Sequence, residues 1–299
     1  MSFLKWCGGK KRLASKIMGK FPDKSEYDIY CEVFLGGGSI FFELKPETAI
    51  LADINPNLIN TFIIVKKYLK RLKTKLEEFD DEYNAEDMGV GKTEKRKKYY
   101  YNLRKAFNKN KYKNGNKLNS KKITERIVLA AYFIFLNKAG FNGMYRENKS
   151  GEMNIPIGSY KSPVIYNPEV LDSCNKLLQN KEIVCMDCFT LLDYVRNKYP
   201  NKRILYYLDP PYYVCDESKF NSYTEGEFTN EHQKQLAEYL INNNLEFVAS
   251  NAECPKVREL YKDDDKTEIE CVEISRTIKG DADRGKAKEV IIKNKSQKN

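Results

Sequence analysis

Short apolar runs bounded by turn-forming residues recur along the chain, and each has the length of one buried β-strand. Stretches with apolar residues at helical spacing lie between several of these runs. Strands that alternate with helices are typical of an α/β doubly wound fold with a mostly parallel sheet. The predicted strands are 29–35, 48–53, 183–187, 204–209 and 245–251, then a C-terminal antiparallel hairpin of 268–274 and 288–293. The predicted helices are 10–20, 57–79, 120–138 and 229–242.

The alternation of strands and helices stops between residues 57 and 168. That stretch is helical, then basic, then rich in Gly and Asn, and its only strand-like part is a hairpin near 140–160. We therefore predict a sheet domain built from 1–56 and 169–299, with a mainly helical domain inserted at 57–168.

Charge is concentrated in one part of the chain. The protein has 299 residues and a net charge of +10, but residues 92–122 hold 13 Lys and Arg against one acid, Glu94. That segment nets +12, so the rest of the chain nets −2. A face that binds a polyanion and a solvated, mobile loop both explain such a run, and the charge alone leaves the two interpretations open.

Other residue patterns exclude whole classes of protein. No apolar run approaches the ~20 residues of a membrane span, and the N-terminus lacks a signal-peptide pattern, so we expect an intracellular protein without membrane association. The eight cysteines are scattered, which argues against a disulfide framework. Cys185 and Cys188 lack the second pair that a zinc site needs, and we interpret them as core residues. His232 is the only histidine, expected at the surface, so a multi-His metal site or a His-dependent hydrolase is excluded and no metal is predicted.

A glycine-rich turn follows the first predicted strand and contains Gly36 and Gly38. Glycines allow a backbone to approach a ligand closely. Asp53 ends the second strand, where a carboxylate can hold ribose hydroxyls. The full G-x-G-x-x-G fingerprint is absent, which argues against NAD. Together these residues indicate a different cofactor that carries a nucleoside.

The sequence Asp209-Pro210-Pro211-Tyr212 follows the fourth predicted strand, at the sheet edge where such folds place active sites. Two prolines stiffen the backbone and fix the direction of the Pro210 carbonyl. The Asp209 carboxylate and that carbonyl are two acceptors for one amino group, and Tyr212 can lie flat on a heterocycle. A purely structural turn is the alternative.

These motifs, in this order, resemble the Dam-type (alpha group, D12 class) DNA adenine-N6 methyltransferases over nearly the whole chain. The resemblance implies a Rossmann-like methyltransferase fold, S-adenosyl-L-methionine as cofactor and S-adenosyl-L-homocysteine as product. It also implies a flipped-out adenine of double-stranded DNA as substrate, within a GATC-like site. Asp209 and the Pro210 carbonyl would accept the hydrogens of the adenine amino group, Pro211 would stiffen the turn, and Tyr212 would stack on the base.

Further segments match the family. Phe3-Leu4-Lys5-Trp6 and Gly8-Gly9-Lys10 resemble its N-terminal motif, and 137–161 resembles its DNA-reading hairpin. Ser222-Tyr223, Phe228-Thr229 and the tail at 276–278 and 284–286 are similar too. Cys7, the pair Gly37-Gly38 and the length of the basic segment depart from the pattern, and the last leaves the non-specific DNA contacts open.

The resemblance assigns further residues to two binding roles. The cofactor set is Trp6, Lys10, Phe34, Gly36, Gly38, Asp53, Asp187 and Phe189, although core packing explains Phe189 equally well. The DNA set is Lys5, Asn137, Asn142, Met144, Arg146, Tyr160 and Lys161. Arg146 is the expected base reader, because a guanidinium pairs with guanine O6 and N7 together, and a phosphate contact or a surface salt bridge is the alternative.

Two other functions stay open at this point. An N-methyltransferase acting on RNA or another amine would carry the same Asp-Pro-Pro-Tyr, and a catalytically silent DNA-binding protein could keep the scaffold. The hairpin residues favour duplex DNA, and intact Lys10, Asp53 and Asp209 favour an active enzyme. We expect a monomer or a weak dimer, and whether a cognate restriction endonuclease exists is left open.

Overall fold

The structure is a computed structural model of the chain. It describes residues 2–6, 8–85, 92–113, 117–161, 163–215, 228–262, 266–275 and 286–294.

The described strands form one seven-stranded sheet in the order β3-β2-β1-β4-β5-β7-β6. β1 pairs in parallel with β2 and with β4, β4 pairs in parallel with β5, and β7 runs antiparallel to β5 and β6. The predicted α/β class, with a mostly parallel sheet and a C-terminal antiparallel hairpin, is confirmed. The strands are β1 (Ile29–Glu32), β2 (Ala49–Asp53), β3 (Glu182–Cys185), β4 (Ile204–Leu208), β5 (Glu246–Ala252), β6 (Thr267–Ser275) and β7 (Lys286–Asn294).

The central strands β1 and β4 are buried along their whole length, which explains why they lack polar alternation. Their register aligns Glu32 with Tyr207, so both strands end at the same edge of the sheet. Val33 extends this pairing by donating a backbone hydrogen bond to the Tyr207 carbonyl (3.0 Å). Asp209 follows β4 directly and therefore lies at the carboxyl edge, where ligands bind in sheets of this kind.

Two of the four predicted helices differ from the observed ones, and other observed helices were not predicted. Predicted helix 57–79 is two helices, because Tyr68 between them has φ −132° and ψ 31°, outside the helical region. Residues 10–20 hold a 3₁₀ turn (Lys10–Arg12) and one short helix. The helices are α1 (Ala14–Met18), α2 (Ser39–Leu44), α3 (Pro56–Lys67), α4 (Leu69–Asn84), α5 (Lys92–Asn110), α6 (Ile123–Ala139), α7 (Pro168–Leu178), α8 (Cys188–Lys198), α9 (Asn230–Asn242) and α10 (Pro255–Leu260).

The basic segment is not a loop over most of its length. Helix α5 covers Lys92–Asn110 and packs against α6 and α4. Tyr100 and Phe107 are buried on this helix. The prediction missed α5 because its charged residues outweigh its apolar ones, so the apolar periodicity that identifies a helix is weak there.

The chain divides into two compact units. The helical unit comprises 1–9, 36–45 and 53–186, and its core includes the aromatic contacts of Phe3 with Phe42 and Phe62. The sheet unit comprises 10–35, 46–52 and 187–299 and has its own core of strand residues such as Tyr206, Phe247 and Ile292.

The cysteines need one correction. Cys215 and Cys254 form a disulfide, whereas the sequence indicated no disulfide framework. Cys185 is half-buried and Cys188 is buried at the start of α8, and burial raises their thiol pKa values to about 11 and about 12. Thiols of such high pKa are poor nucleophiles, so the interpretation of this pair as core residues stands. Across the described ranges, no helix combines the length and apolarity needed to cross a membrane.

Candidate active site

Asp209 and Lys10 form a close ion pair in the sheet unit. Lys10 Nζ lies 2.8 Å from Asp209 Oδ1, with the lysine side chain 6% exposed and the aspartate side chain 21% exposed. Burial raises the pKa of Asp209 to about 6, the nearby Lys10 ammonium opposes that rise, and Glu289 adds to it. The carboxylate is therefore ionised at neutral pH and protonated in mild acid. The resemblance placed Lys10 beside the cofactor, and the structure places its ammonium beside the Asp209 carboxylate.

Tyr212 is held on two sides. The Lys10 ammonium lies 4.7 Å from the centre of the tyrosine ring, and the phenol donates a 2.6 Å hydrogen bond to Glu289 Oε2 on β7. Burial, followed by the negative charges of Asp209 and Glu289, raises the pKa of Tyr212 far above its ordinary value. The phenol thus stays protonated, and the ring has a defined orientation.

Two buried amides hold the backbone of the Asp-Pro-Pro-Tyr turn. Gln233 Nε2 donates to the Pro211 carbonyl, and Asn251 Oδ1 accepts from the Tyr213 N–H (3.1 Å). Asn251 Nδ2 donates to Gln233 Oε1 (2.9 Å), which links the two amides. Pro210 is buried and Pro211 is exposed. Sequence reasoning missed Gln233, Asn251 and Glu289, although polar residues in otherwise apolar helix and strand positions were a usable signal.

The glycine turn lies in the helical unit. Gly36 has φ +47°, and a Cβ added there would lie 2.7 Å from the Trp6 indole nitrogen, so only glycine fits. The Gly36 N–H donates to Asp53 Oδ2 (3.0 Å), and the Asn55 N–H donates to Asp53 Oδ1 (2.9 Å). Burial raises the pKa of Asp53, and these backbone donors oppose that rise. Trp6, Gly36 and Asp53 are therefore brought together, and Gly38 caps α2 with φ +66°.

Ile54 is a further candidate that the sequence did not single out. It directly follows the half-buried Asp53 and is 66% exposed, which is unusual for a large apolar side chain. An apolar surface next to Asp53, the residue expected to hold the ribose, is suited to packing on the base of a nucleoside.

Phe34 and Phe189 belong to a chain of aromatic rings in the sheet unit. Phe34 lies edge-on to Phe228 at 5.5 Å, Phe228 stacks on His232 at 5.5 Å, and Phe189 lies 6.4 Å from the same imidazole. His232 is half-buried and caps α9 with Thr229, so this residue, expected at the surface, is partly exposed and also packs on neighbouring rings. Partly exposed rings of this kind offer flat faces to a heterocycle.

Asp187 begins helix α8. Its Oδ1 accepts from the Thr190 N–H (3.0 Å), and the side chain is exposed. Burial raises its pKa, but hydrogen bonds from Thr190 and Phe189 outweigh that and lower it overall. One carboxylate oxygen therefore caps the helix, and the side chain remains accessible to a ligand.

The expected DNA-reading hairpin has antiparallel bridges between Gly140 and Ile157 and between Glu147 and Met153. Asn142 lies at its start with φ +53° and is exposed. Arg146 is exposed as well, and its Nε donates to Asn154 Oδ1 (2.9 Å) on the opposite side of the hairpin. Arg146 is thus oriented by a neighbour while its guanidinium faces solvent.

The remaining expected DNA residues differ in accessibility. Lys5 is exposed, and its ammonium lies 4.4 Å from the centre of the half-buried Tyr160 ring. Lys161 is exposed and Met144 is half-buried.

Asn137 was expected to bind DNA, but the structure places it in a different role. It is 4% exposed, its Oδ1 accepts from the Lys5 N–H (2.9 Å), and its Nδ2 donates to the Lys5 and Gly143 carbonyls (2.7 and 2.8 Å). A buried amide whose donors and acceptor are all engaged is not available to DNA. Its structural role is to join the N-terminal segment to the start of the hairpin.

Two groups of cations in the basic segment differ in their surroundings. Arg96, Arg104 and Lys111 are engaged inside the helical unit, with carbonyls or with Glu147. The exposed lysines are Lys97, Lys98, Lys105, Lys109, Lys113, Lys117 and Lys122.

Some residues of the family motifs lie outside the described ranges: Cys7, Ser222, Tyr223, 276–278, Arg284 and Gly285. Among the residues that are described, no group of three or more His, Cys, Asp or Glu is arranged to hold a metal ion.

Comparison with known proteins gives a consistent result. Residues 6–278 match the family described as D12 class N6 adenine-specific DNA methyltransferase. The Type II methyltransferase M.MjaIII of Methanocaldococcus jannaschii is 38% identical over 245 residues, covering 79% of this chain and 78% of the relative. Type II methyltransferase M1.LlaDCHI of Lactococcus lactis is 32% identical, covering 98% and 94%. The DNA adenine methylase of Haemophilus influenzae is 32% identical, covering 97% and 92%.

Proposed function

Because the chain belongs to the D12 class of N6 adenine-specific DNA methyltransferases, we propose that it transfers a methyl group from S-adenosyl-L-methionine to the N6 atom of an adenine flipped out of duplex DNA. The observation that carries this proposal is the Asp209 carboxylate, which lies at the carboxyl edge of the sheet, is ionised at neutral pH, and has Lys10 and Tyr212 around it.

The cofactor residues fit a nucleoside-bearing sulfonium compound. Gly36 and Trp6 leave no room for a Cβ at the turn, and Asp53 presents a carboxylate beside it. We assign the ribose to Asp53 of the helical unit, with Ile54 as its apolar neighbour. As the resemblance implies, we assign the cofactor's adenine to Asp187, Phe34 and Phe189 of the sheet unit. When bound, the cofactor supplies an electrophilic methyl group. The chain's task is to hold that group in line with the attacking nitrogen.

Asp209 acts on the attacking nitrogen. The lone pair of an adenine amino group is delocalised into the ring, so N6 is a weak nucleophile until its hydrogens are held by acceptors. Asp209 and the Pro210 carbonyl provide two acceptors, which localise the lone pair. Formation of the new N–C bond would be matched by breaking of the methyl–sulfur bond, which leaves neutral S-adenosyl-L-homocysteine. The methylated N6 is then cationic and acidic, and Asp209 would take up its proton and pass it to water. An ionised, preorganised acceptor at a reacting centre contributes through electrostatics.

Tyr212 holds the base in this proposal. Its ring stacks on the flipped adenine, and the hydrogen bond to Glu289 fixes the plane of the ring before the base arrives. Lys10 donates to Asp209 Oδ1, so the adenine amino group must share that carboxylate with Lys10 or take over the acceptor.

Residues 57–168 form the target-recognition domain in this proposal. Arg146 reads a base edge from the hairpin, as in a GATC-like site, and the exposed lysines of α5 contact phosphates. Lys5, Asn142, Met144, Tyr160 and Lys161 are assigned to the same surface.

The test is methyl transfer from labelled S-adenosylmethionine to duplex DNA, single-stranded DNA, RNA and a duplex in which every adenine is already N6-methylated. We expect incorporation into unmethylated duplex DNA, recovered as N6-methyladenine. Equal incorporation into the fully methylated duplex, or label recovered only in RNA, would contradict the proposal. Asp209→Asn is the matched inactive control.

A further inference from the structure

One face of helix α5 carries five polar or charged residues whose side chains all contact the hairpin or its flanks. They are spaced four, four, four and three residues apart, which places them in a single row along the helix. We call this row the α5 stripe: Arg96, Tyr100, Arg104, Asn108 and Lys111.

Asn108 pairs with the hairpin backbone in the manner of a neighbouring strand. Its Nδ2 donates to the Met153 carbonyl (3.0 Å), and its Oδ1 accepts from the Met153 N–H (2.9 Å). Tyr100 and Arg104 both donate to the Ile155 carbonyl, at 3.0 and 2.9 Å. Three side chains of one helix thus satisfy the backbone of a hairpin strand where a sheet partner would otherwise be needed.

The two ends of the stripe anchor the same segment. Arg96 donates to the Lys161 carbonyl (2.9 Å) and to the Tyr83 carbonyl on α4, which links the end of the hairpin to the helical core. Lys111 pairs with Glu147 (2.5 Å), and Glu147 also accepts from the Tyr145 hydroxyl. Both hairpin strands are therefore held from α5.

The α5 stripe is connected to Arg146 by contacts through one residue on each strand of the hairpin. On one strand, Glu147 follows Arg146 and is paired with Lys111. On the other, Asn154 follows Met153, and Asn154 accepts from the Arg146 guanidinium and donates its N–H to the Arg146 carbonyl. Among the described residues, the hairpin has two bridges of its own and further hydrogen bonds such as that from the Phe141 N–H to the Pro156 carbonyl, and α5 adds a second set of contacts from outside the hairpin.

We propose that the α5 stripe fixes the register of the hairpin and its position relative to α5. In this way the stripe determines which base pair Arg146 reads, and Asn108 is the central positioning residue. This inference rests on the proposed function. The charged residues of α5 then have two roles. The stripe positions Arg146, and the exposed lysines on the other side of the helix face the DNA backbone.

The experiment compares rates of methylation at the preferred site and at sites changed by one base pair. The variants are Asn108→Asp, which keeps the acceptor for the Met153 N–H and removes the donor, and Tyr100→Phe, which removes only the donor to Ile155. The control is Asn102→Asp, since Asn102 lies exposed on the same helix. Thermal unfolding and cofactor binding are measured for each variant.

We expect Asn108→Asp to lower the rate ratio between preferred and altered sites by about tenfold, within the range that one base pair contributes, and Tyr100→Phe to lower it less. The control should keep the wild-type ratio. A merely structural role would lower the rate at all sites together and leave the ratio unchanged.

An unchanged ratio in both stripe variants, in an active wild-type background, overturns this inference alone. Wild-type protein that transfers no methyl group to adenine overturns the proposed function instead. If Asn108→Asp fails to fold, Tyr100→Phe still decides, because it removes one hydroxyl and keeps the packed ring.

Discussion

The Asp209 cluster and the hairpin that carries Arg146 use charge in opposite ways. In the cluster, the working groups touch each other: Asp209 pairs with Lys10, Lys10 lies over Tyr212, and Tyr212 bonds to Glu289. In the hairpin, the engaged groups hold the backbone, and the proposed reader, Arg146, extends into solvent.

The difference follows from what each region must do. A methyl acceptor site needs an acceptor that is already oriented and charged before the substrate binds, because reorganising it during the reaction would raise the barrier. A base reader needs an exposed donor that meets different sequences and discriminates among them. Changes in the first region should therefore alter rate, and changes in the second should alter site choice or affinity.

The largest expected effect comes from Asp209→Ala. Loss of a preorganised acceptor at the reacting centre should lower the methyl-transfer rate by at least ~10²–10³ while cofactor binding persists. Single-turnover transfer and calorimetric titration with S-adenosylmethionine measure the two properties. Asp81→Ala, at an exposed site, is the control. Near-normal turnover by the Asp209 variant would end the assignment of this cluster as the acceptor site.

Arg146→Ala should change site choice without changing rate at unrelated positions. We expect a loss of ~1–3 kcal/mol of discrimination at one base pair, with non-specific affinity retained. Mapping methylated adenines on random-sequence DNA measures it, with exposed Lys149→Ala as the control. Identical maps for wild type and variant would remove Arg146 from the recognition set.

Lys10→Met should shift the pH profile of the reaction. The pKa of Asp209 is raised to about 6, and only the ionised form accepts, so the wild-type rate should rise with pH through about 6. Removing the ammonium removes the opposing effect, so the midpoint should move upward by about one unit. Rates at saturating DNA across the pH range test this, with Lys11→Met, an exposed neighbour, as the control. A midpoint that stays in place would show that Lys10 does not tune the carboxyl group.

The smallest effect per residue is expected on the outer side of α5. Changing Lys98, Lys105 and Lys109 to Gln should weaken binding to all duplexes alike. It should also lower the salt dependence by about 0.9 log unit for each phosphate that is no longer neutralised. Binding isotherms at several salt concentrations measure the slope, and exposed Lys234→Gln on α9 is the control. If the slope stays unchanged, these lysines are only solvated charges.

The strands, the glycine turn and the Asp-Pro-Pro-Tyr motif were predictable because their signals are local. A buried strand is a short apolar run, and the ends of parallel strands share an edge, so the position of Asp209 followed from the order of residues. Helix α5 was missed because its many charged residues obscure the apolar periodicity. The contact of the His232 ring with Phe228 was not predicted, because a polar helical stretch does not reveal which rings pack together.

The sequence by itself determined the sheet, the family and the residues to which the proposal assigns the chemistry. Only the tertiary structure decided what those residues touch. It placed Lys10 on Asp209, bonded Tyr212 to Glu289 across 77 positions, and buried Asn137 under a segment 132 positions away. It also showed that part of the basic segment, helix α5, forms hydrogen bonds that hold the hairpin. Contacts between distant residues leave no period in the sequence, since they form only when packing brings the partners within hydrogen-bond distance.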